Sequence, residues 1–144
     1  MATIISVNVS KNKGEIKSPI HSGKLVTGFG LEGDAHAGDW HRQISLLAQE
    51  SVDMMTALGA KNLTPGVFAE NITTKGIELH TLPIGTKLAV GPCLLEVTKI
   101  GKECHNHCAI FQQVGSCVMP TRGIFAKVLV GGVVSKDDAI EICK

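Results

Sequence analysis

Thr86-Lys87-Leu88-Ala89-Val90-Gly91-Pro92-Cys93-Leu94-Leu95-Glu96-Val97-Thr98-Lys99-Ile100 decides the fold class. Two short apolar stretches, Thr86–Val90 and Leu94–Ile100, flank Gly91-Pro92, a dipeptide that turns the chain, so the segment reads as a β-hairpin. Downstream, Ile124–Val130 and Ala139–Cys143 read as further strands, with Gly131-Gly132 and Ser135–Asp138 as turns. Upstream, Val67–Thr73 is a short strand candidate, Arg42–Leu47 is strand-like, and Thr3–Val9 alternates and is rich in Ile and Val. Ala48–Leu58 is the best helix: Val52, Met55 and Leu58 fall on one face, Gln49 and Glu50 suit its first turn, and Gly59 can end it. His105–Val114, closed by Gly115, is a second short helix, and Lys11–Gly23 is a polar loop or hairpin. Gly28–Gly38 is too rich in glycine for a regular element. Many short strands with Gly and Pro turns, and only one or two short helices, predict one mainly β domain over residues 1–144, built as a closed or partly closed β-barrel.

Composition fits that reading. Of 144 residues, 44% are hydrophobic and 19% charged, which is a globular balance. With four Phe, one Trp and no Tyr, the core must rest on Val, Ile, Leu and Met. The formal charge of +1 gives no strong field for nucleic acid, so any anion site must be local. Met1–Ile5 lacks the basic segment and apolar stretch of an export signal and reads as the start of a strand. No apolar run approaches the roughly 18–20 residues that span a bilayer. Cys93, Cys104, Cys108, Cys117 and Cys143 are odd in number, so reduced thiols and a cytoplasmic location are expected. Cys93 and Cys143 lie in apolar strand patterns and are expected in the core.

Chemistry concentrates first in Gly101-Lys102-Glu103-Cys104-His105-Asn106-His107-Cys108, which follows a strand and opens a helix. Backbone N–H groups and the helix dipole at such a junction, together with Lys102 and His105, should lower the Cys104 pKa. Such a thiolate can be a nucleophile, carry a persulfide sulfur or bind a soft metal; the bland alternative is a small buried residue. Cys108 and Cys117, with His105 or His107, could complete a zinc site, although the spacing is unlike paired C-x2-C knuckles. Either could instead resolve an oxidised or persulfidated Cys104.

A second cluster spans Gly30-Leu31-Glu32-Gly33-Asp34-Ala35-His36-Ala37-Gly38-Asp39-Trp40-His41-Arg42. Its glycines allow close approach of backbone to a ligand, Asp34, His36 and His41 offer hydrogen bonds, and Arg42 could grip a phosphate bidentately. The competing reading is a turn whose polar side chains cap local backbone. If Gly66–Ile72 is extended, Phe68, Glu70 and Ile72 share one face and Glu70 needs a partner, Arg42 or Arg122. Asn71 could bond a loop backbone or a ligand. Arg122, at a strand start after Pro120, is either a surface charge or a second anion anchor.

Taken together, Gly30–Gly38, Arg42–Leu47, Gly66–Ile72, Ile84–Gly91, Gly101–Cys108 and Cys117–Val134 resemble, in order, the MOSC family, the C-terminal domain of molybdenum cofactor sulfurases, and its short stand-alone bacterial members in particular. The resemblance implies a β-barrel of the pyruvate-kinase-barrel type and a key cysteine at Cys104, which would be the catalytic group or the molybdenum ligand. It implies the molybdenum cofactor (molybdopterin) as ligand, with Gly33, Asp34, His36, Arg42, Asn71, Lys102 and Arg122 as candidate cofactor-binding residues. The functions implied are a sulfur carrier or a small molybdenum reductase of N-hydroxylated compounds. The chain has no room for a desulfurase or electron-transfer domain, so sulfur or electrons are expected from a separate sulfur donor or reductase protein or from a thiol; no nucleic-acid or membrane partner is expected. Where related short members tend to have Gly-Asp, this chain has Asp137-Asp138, which should alter only a turn. The alternative from a different class is a non-catalytic module, a zinc-stabilised or protein-interaction β-barrel.

Overall fold

The computed structural model describes residues 2–12, 16–59, 61, 63–101 and 122–143. The hairpin is present: β7 (Lys87–Val90) and β8 (Cys93–Ile100) pair antiparallel from Val90↔Cys93 outward, with Gly91 at φ 54° in the turn. β8 continues onto β9 (Ile124–Val130), and β9 onto β5 (Ile44–Ala48). β5 then pairs in parallel with β6 (Ile72–Lys75), and β6 antiparallel with β1 (Ala2–Val9). β11 (Ala139–Cys143) lies between β7 and β1, and its pairing with β1 (Ala2↔Ile140, Thr3↔Ala139) closes seven strands into a barrel. β2 (Ser18–Ile20) extends the sheet beside β1. A smaller sheet of β10 (Gly132–Ser135), β3 (Ser22–Val26) and β4 (Gly30–Leu31) accompanies it.

Alternation along the strands explains the interior. Ile4 and Val7 of β1, Leu88 and Val90 of β7, Leu95 and Val97 of β8, and Ile124, Ala126 and Val128 of β9 are buried together in one apolar cluster. Every residue of β5 is buried, because the strand is covered on both faces. Ile44, Leu46 and Ala48 join the barrel interior, whereas Leu47 packs in a second cluster with Val52 and Met55 of α1 (Gln49–Ala57) and with Phe68. The helix therefore lies against the outside of β5, on the face that Val52 and Met55 define. A 3-10 turn over Leu79–Thr81 plugs Leu79 into the barrel cluster.

One expected strand is mostly absent. Val67–Thr73 is extended only from Ile72; Pro65–Phe68 form a turn, and Ala69 takes φ 63°. The cause is a long-range contact. The Gly66 carbonyl accepts from Lys17 N (2.9 Å), and a Cβ at Gly66, itself at φ 89°, would run into the Lys17 carbonyl. The chain must fold inward here, and only Ile72 onward is free to join β6. Cys143 also departs from expectation: it is exposed at the end of β11, whereas Cys93 is buried as expected. The expected second helix, His105–Val114, lies outside the described residues.

Candidate functional site

Parallel pairing of β5 with β6, and antiparallel pairing of β5 with β9, bring Ala48, the exit of β6 and the start of β9 to one end of the barrel. A cavity of 580 Å³ opens there, lined by Ala48, Glu50, Ser51 and Met54 of the β5–α1 junction, Gly76, Ile77, Glu78 and His80 beyond β6, and Arg122 before β9. Its size falls in the range of small-molecule sites, roughly 300–1,000 Å³. Arg122 donates from Nη1 to His80 Nε2 at 3.3 Å, since a guanidinium has no acceptor to offer. Ala48 stands at the N-cap of α1 and brings no side-chain cap, so among the described residues no side chain caps the first turn of the helix beside the cavity. Glu50 is turned to the side, its Oε2 accepting from Gly76 N at 2.8 Å. A guanidinium, an imidazole and an uncapped helix N-terminus suit an oxyanion, and the two carboxylates of Glu50 and Glu78 add acceptors for ligand N–H groups.

Gly101, the last described residue before Cys104 in the chain, lies at the same end. Gly101 N donates to Gly123 O at 2.6 Å, tying the close of β8 to the residue after Arg122. Cys104 and Lys102 themselves lie outside the described residues, as do Cys108, Cys117, His105 and His107, so the expected thiol site and the zinc alternative fall there too. Among the described residues, no group of three or more His, Cys, Asp or Glu could hold a metal ion.

The other expected site residues gather elsewhere. Asp34 and His36 sit where β1 ends, at the opposite end of β1 and β6 from Arg122. Asp34 is buried, and its Oδ1 accepts from Lys17 Nζ at 2.7 Å and from Ser10 N at 3.1 Å, while Oδ2 accepts from His36 N at 3.0 Å. Burial pushes this carboxyl up. The Lys17 hydrogen bond, the Ser10 and His36 N–H donors and the lysine charge outweigh it, and hold the group below the ordinary carboxylate range. Gly33 turns the chain just before, at φ 84°. Arg42 stacks its guanidinium 5.1 Å from the Phe125 ring centroid, with its buried Nε unpaired among the described residues. Asn71 is fully buried; its Oδ1 accepts from Ser45 N at 3.0 Å, and its Nδ2 donates to the Asn8 carbonyl at 3.2 Å, so it ties β5 to β1.

Glu70 has neither arginine as a partner. Its Oε1 accepts from Phe68 N at 3.1 Å and its Oε2 from Thr73 Oγ1 at 2.8 Å. Burial without a countercharge pushes its pKa up, against the lowering effect of these donors. The expected ion pair depended on an extended Gly66–Ile72, and the turn there sends the carboxylate back onto its own backbone. Two residues of these sites carry no local signal. Lys17 is one lysine in a polar loop, and His80 lies in an unremarkable Leu-His-Thr; only the fold places them.

The matches to known proteins agree with this architecture. The MOSC domain matches residues 32–141, so the chain belongs to the MOSC domain family. The crystal structure of the YUAD protein from Bacillus subtilis superposes with a TM-score of 0.83 at 19% identity, covering 99% of this chain and 96% of that one. YiiM from Geobacillus stearothermophilus is similar at a TM-score of 0.73 and 20% identity, covering 100% of this chain and 76% of its own. YiiM from Escherichia coli gives 0.68 and 20%, covering 100% of this chain and 70% of its own. At these identities the likeness concerns the fold. No curated protein matches the chain. Among the described residues no helix is long and apolar enough to cross a membrane.

Proposed function

We propose that this protein binds the molybdenum cofactor or its molybdopterin part at the cavity beside Arg122, and that Cys104 carries sulfur or ligates molybdenum there. Membership of the MOSC family supports the ligand class. The observation that carries the reading is the placing of Arg122, His80 and the uncapped start of α1 around one cavity, at the end of the barrel where Gly101 leaves β8. Covalent geometry alone keeps a residue three positions beyond Gly101 within about 11 Å of it. The anion cradle and the point where the chain leaves β8 toward Cys104 thus share one end.

The donor set fits the phosphate of a pterin cofactor. Arg122 would hold that phosphate by charge-assisted hydrogen bonds, with His80 fixing the guanidinium and the first turn of α1 adding N–H donors. When bound, the cofactor supplies a soft metal able to accept a thiolate and exchange electrons. The chain's own contribution is to orient it, to keep Glu50 engaged with Gly76 and away from the phosphate, and to present the Cys104 thiol.

The test is reconstitution with molybdopterin, followed by molybdenum and phosphate analysis. Arg122→Gln should weaken binding by about 10- to 100-fold, the equivalent of one charged hydrogen bond of about 1.5–3 kcal/mol. Cys104→Ser should remove sulfur transfer or metal ligation while leaving the fold intact. Turnover of an N-hydroxylated substrate by the loaded protein would mark a reductase, and its absence alongside a persulfide on Cys104 a sulfur carrier. Stoichiometric zinc with no pterin binding would replace this reading with the structural module.

A further inference from the structure

Lys17 is the most unusual buried residue outside the cavity. Its side chain is 0% exposed, as is that of Asp34. An ammonium has three protons and no acceptor. Three acceptors surround this one: Asp34 Oδ1 at 2.7 Å, Ser10 Oγ at 3.0 Å and His36 Nδ1 at 3.1 Å. Ser10 can accept because its own hydroxyl donates onward to the Asn12 carbonyl at 3.2 Å. Asp34 also accepts from the Ser10 and His36 backbone N–H groups. The count closes only if His36 Nδ1 carries a lone pair. A proton on Nδ1 would set N–H against N–H at 3.1 Å, and Asp34 Oδ2, at 3.8 Å, is too far to accept it.

We propose that Lys17 is a positioning residue that fixes the tautomer of His36, holding the imidazole neutral with its proton on Nε2. The consequence is chemical. The His36 ring then donates through Nε2 and accepts through Nδ1. It is neither a general base nor a metal ligand, because one nitrogen bears hydrogen and the lone pair of the other is taken by the ammonium. Lys17, Asp34 and His36 come from the loop after β1 and the turn after β4, so the arrangement also joins these two loops through one buried charge. The proposal does not depend on what occupies the cavity at the far end of the barrel.

Imidazole 15N NMR of the full-length chain at neutral pH tests it. The expected spectrum for His36 has Nδ1 unprotonated and Nε2 bearing hydrogen. A proton on Nδ1, or on both nitrogens, overturns the assignment in the wild type alone, whatever the variants do. Ser10→Ala removes a different acceptor of the same ammonium and should leave the His36 tautomer unchanged. Lys17→Met should let the two tautomers mix; if the ring keeps a single Nε2–H form in folded Lys17→Met, Lys17 is not what fixes it. Zinc alone, titrated to one equivalent, should leave the His36 ring signals in place, and a stoichiometric shift of Nδ1 or Nε2 would restore the residue as a metal ligand and refute the proposal.

Discussion

Breaking the buried Lys17–Asp34 pair from its two sides should give unequal losses. Lys17→Met removes the ammonium but leaves Asp34 with two backbone donors, Ser10 N and His36 N. The uncompensated carboxylate should cost about 3 kcal/mol, the lower end for breaking a buried pair. Asp34→Ala strands the ammonium on Ser10 Oγ and His36 Nδ1 alone, and it also strips both backbone N–H groups of their acceptor. Each orphaned donor adds about 1–3 kcal/mol, so the total should reach about 5 kcal/mol or more, a large part of the 5–15 kcal/mol typical of a domain. Urea titration of both variants reads this as a shift in midpoint at constant slope. The Asp34 pKa is depressed in the folded state, so its contribution is complete above the unfolded value of about 3.9 and is lost as pH falls toward the folded one. Asp34→Ala should therefore also flatten the acid limb of the stability profile. If Asp34→Ala proves no less stable than Lys17→Met, the carboxylate is not the hub of the network and the reasoning is refuted.

Glu70 should show the opposite pH trend, because its folded pKa is raised: its favourable contribution is complete below the unfolded value and declines as pH rises through the folded one. Glu70→Gln should leave stability at neutral pH unchanged or raise it, while Glu70→Ala, which orphans Phe68 N, should lose about 1–3 kcal/mol in the same urea assay. Asp137 sits at φ 75°, so Asp137→Gly should stabilise by up to about 1 kcal/mol, left-handed strain being partly offset by glycine's greater freedom when unfolded; a loss of melting temperature would contradict this. Cys93 is buried, and burial together with the Asp138 charge pushes its thiol up, so limited alkylation with peptide mass analysis should find it the slowest to label and Cys104 the fastest. Equal rates for these two would remove the case for an activated thiol.

What the sequence makes legible is whatever is locally encoded. The β7–β8 hairpin follows from Gly91-Pro92 between two apolar runs, β9 occupies Ile124–Val130 as expected, and α1 falls within one residue of the predicted Ala48–Leu58 at each end. The failures are long-range. Val67–Thr73 has a strand's composition, yet the backbone of Lys17, about fifty residues away in the chain, bends it into a turn and so withdraws Glu70 from any arginine. Asp34 and His36, named with Arg122 as candidate cofactor residues, lie at the other end of β1 from it and contact a buried lysine that the sequence does not single out. No periodicity marks Lys17 or His80, because each is defined by a partner that only folding supplies. Cys143 reads as core from its neighbours but sits at a strand end with its face to solvent.

The closing of the barrel through β1 and β11 makes the two ends of the described chain neighbours. Two paired positions form that seam, supplemented by Ile4 N to Asp138 O at 2.9 Å and Asp137 N to Ile4 O at 2.8 Å. Closing a loop of nearly the whole chain costs about 4 kcal/mol in chain entropy, and little of that is recovered until the other strands are in place. Zipping this seam is thus expected to come late in folding, as the step that pairs the open edges of β1 and β11 with each other. The left-handed Asp137 lies within the seam itself. A residue that strains the turn there would speed the reopening of the finished barrel more than it would slow its assembly, so the protein's lifetime against aggregation, rather than its folding rate, is where that position should tell.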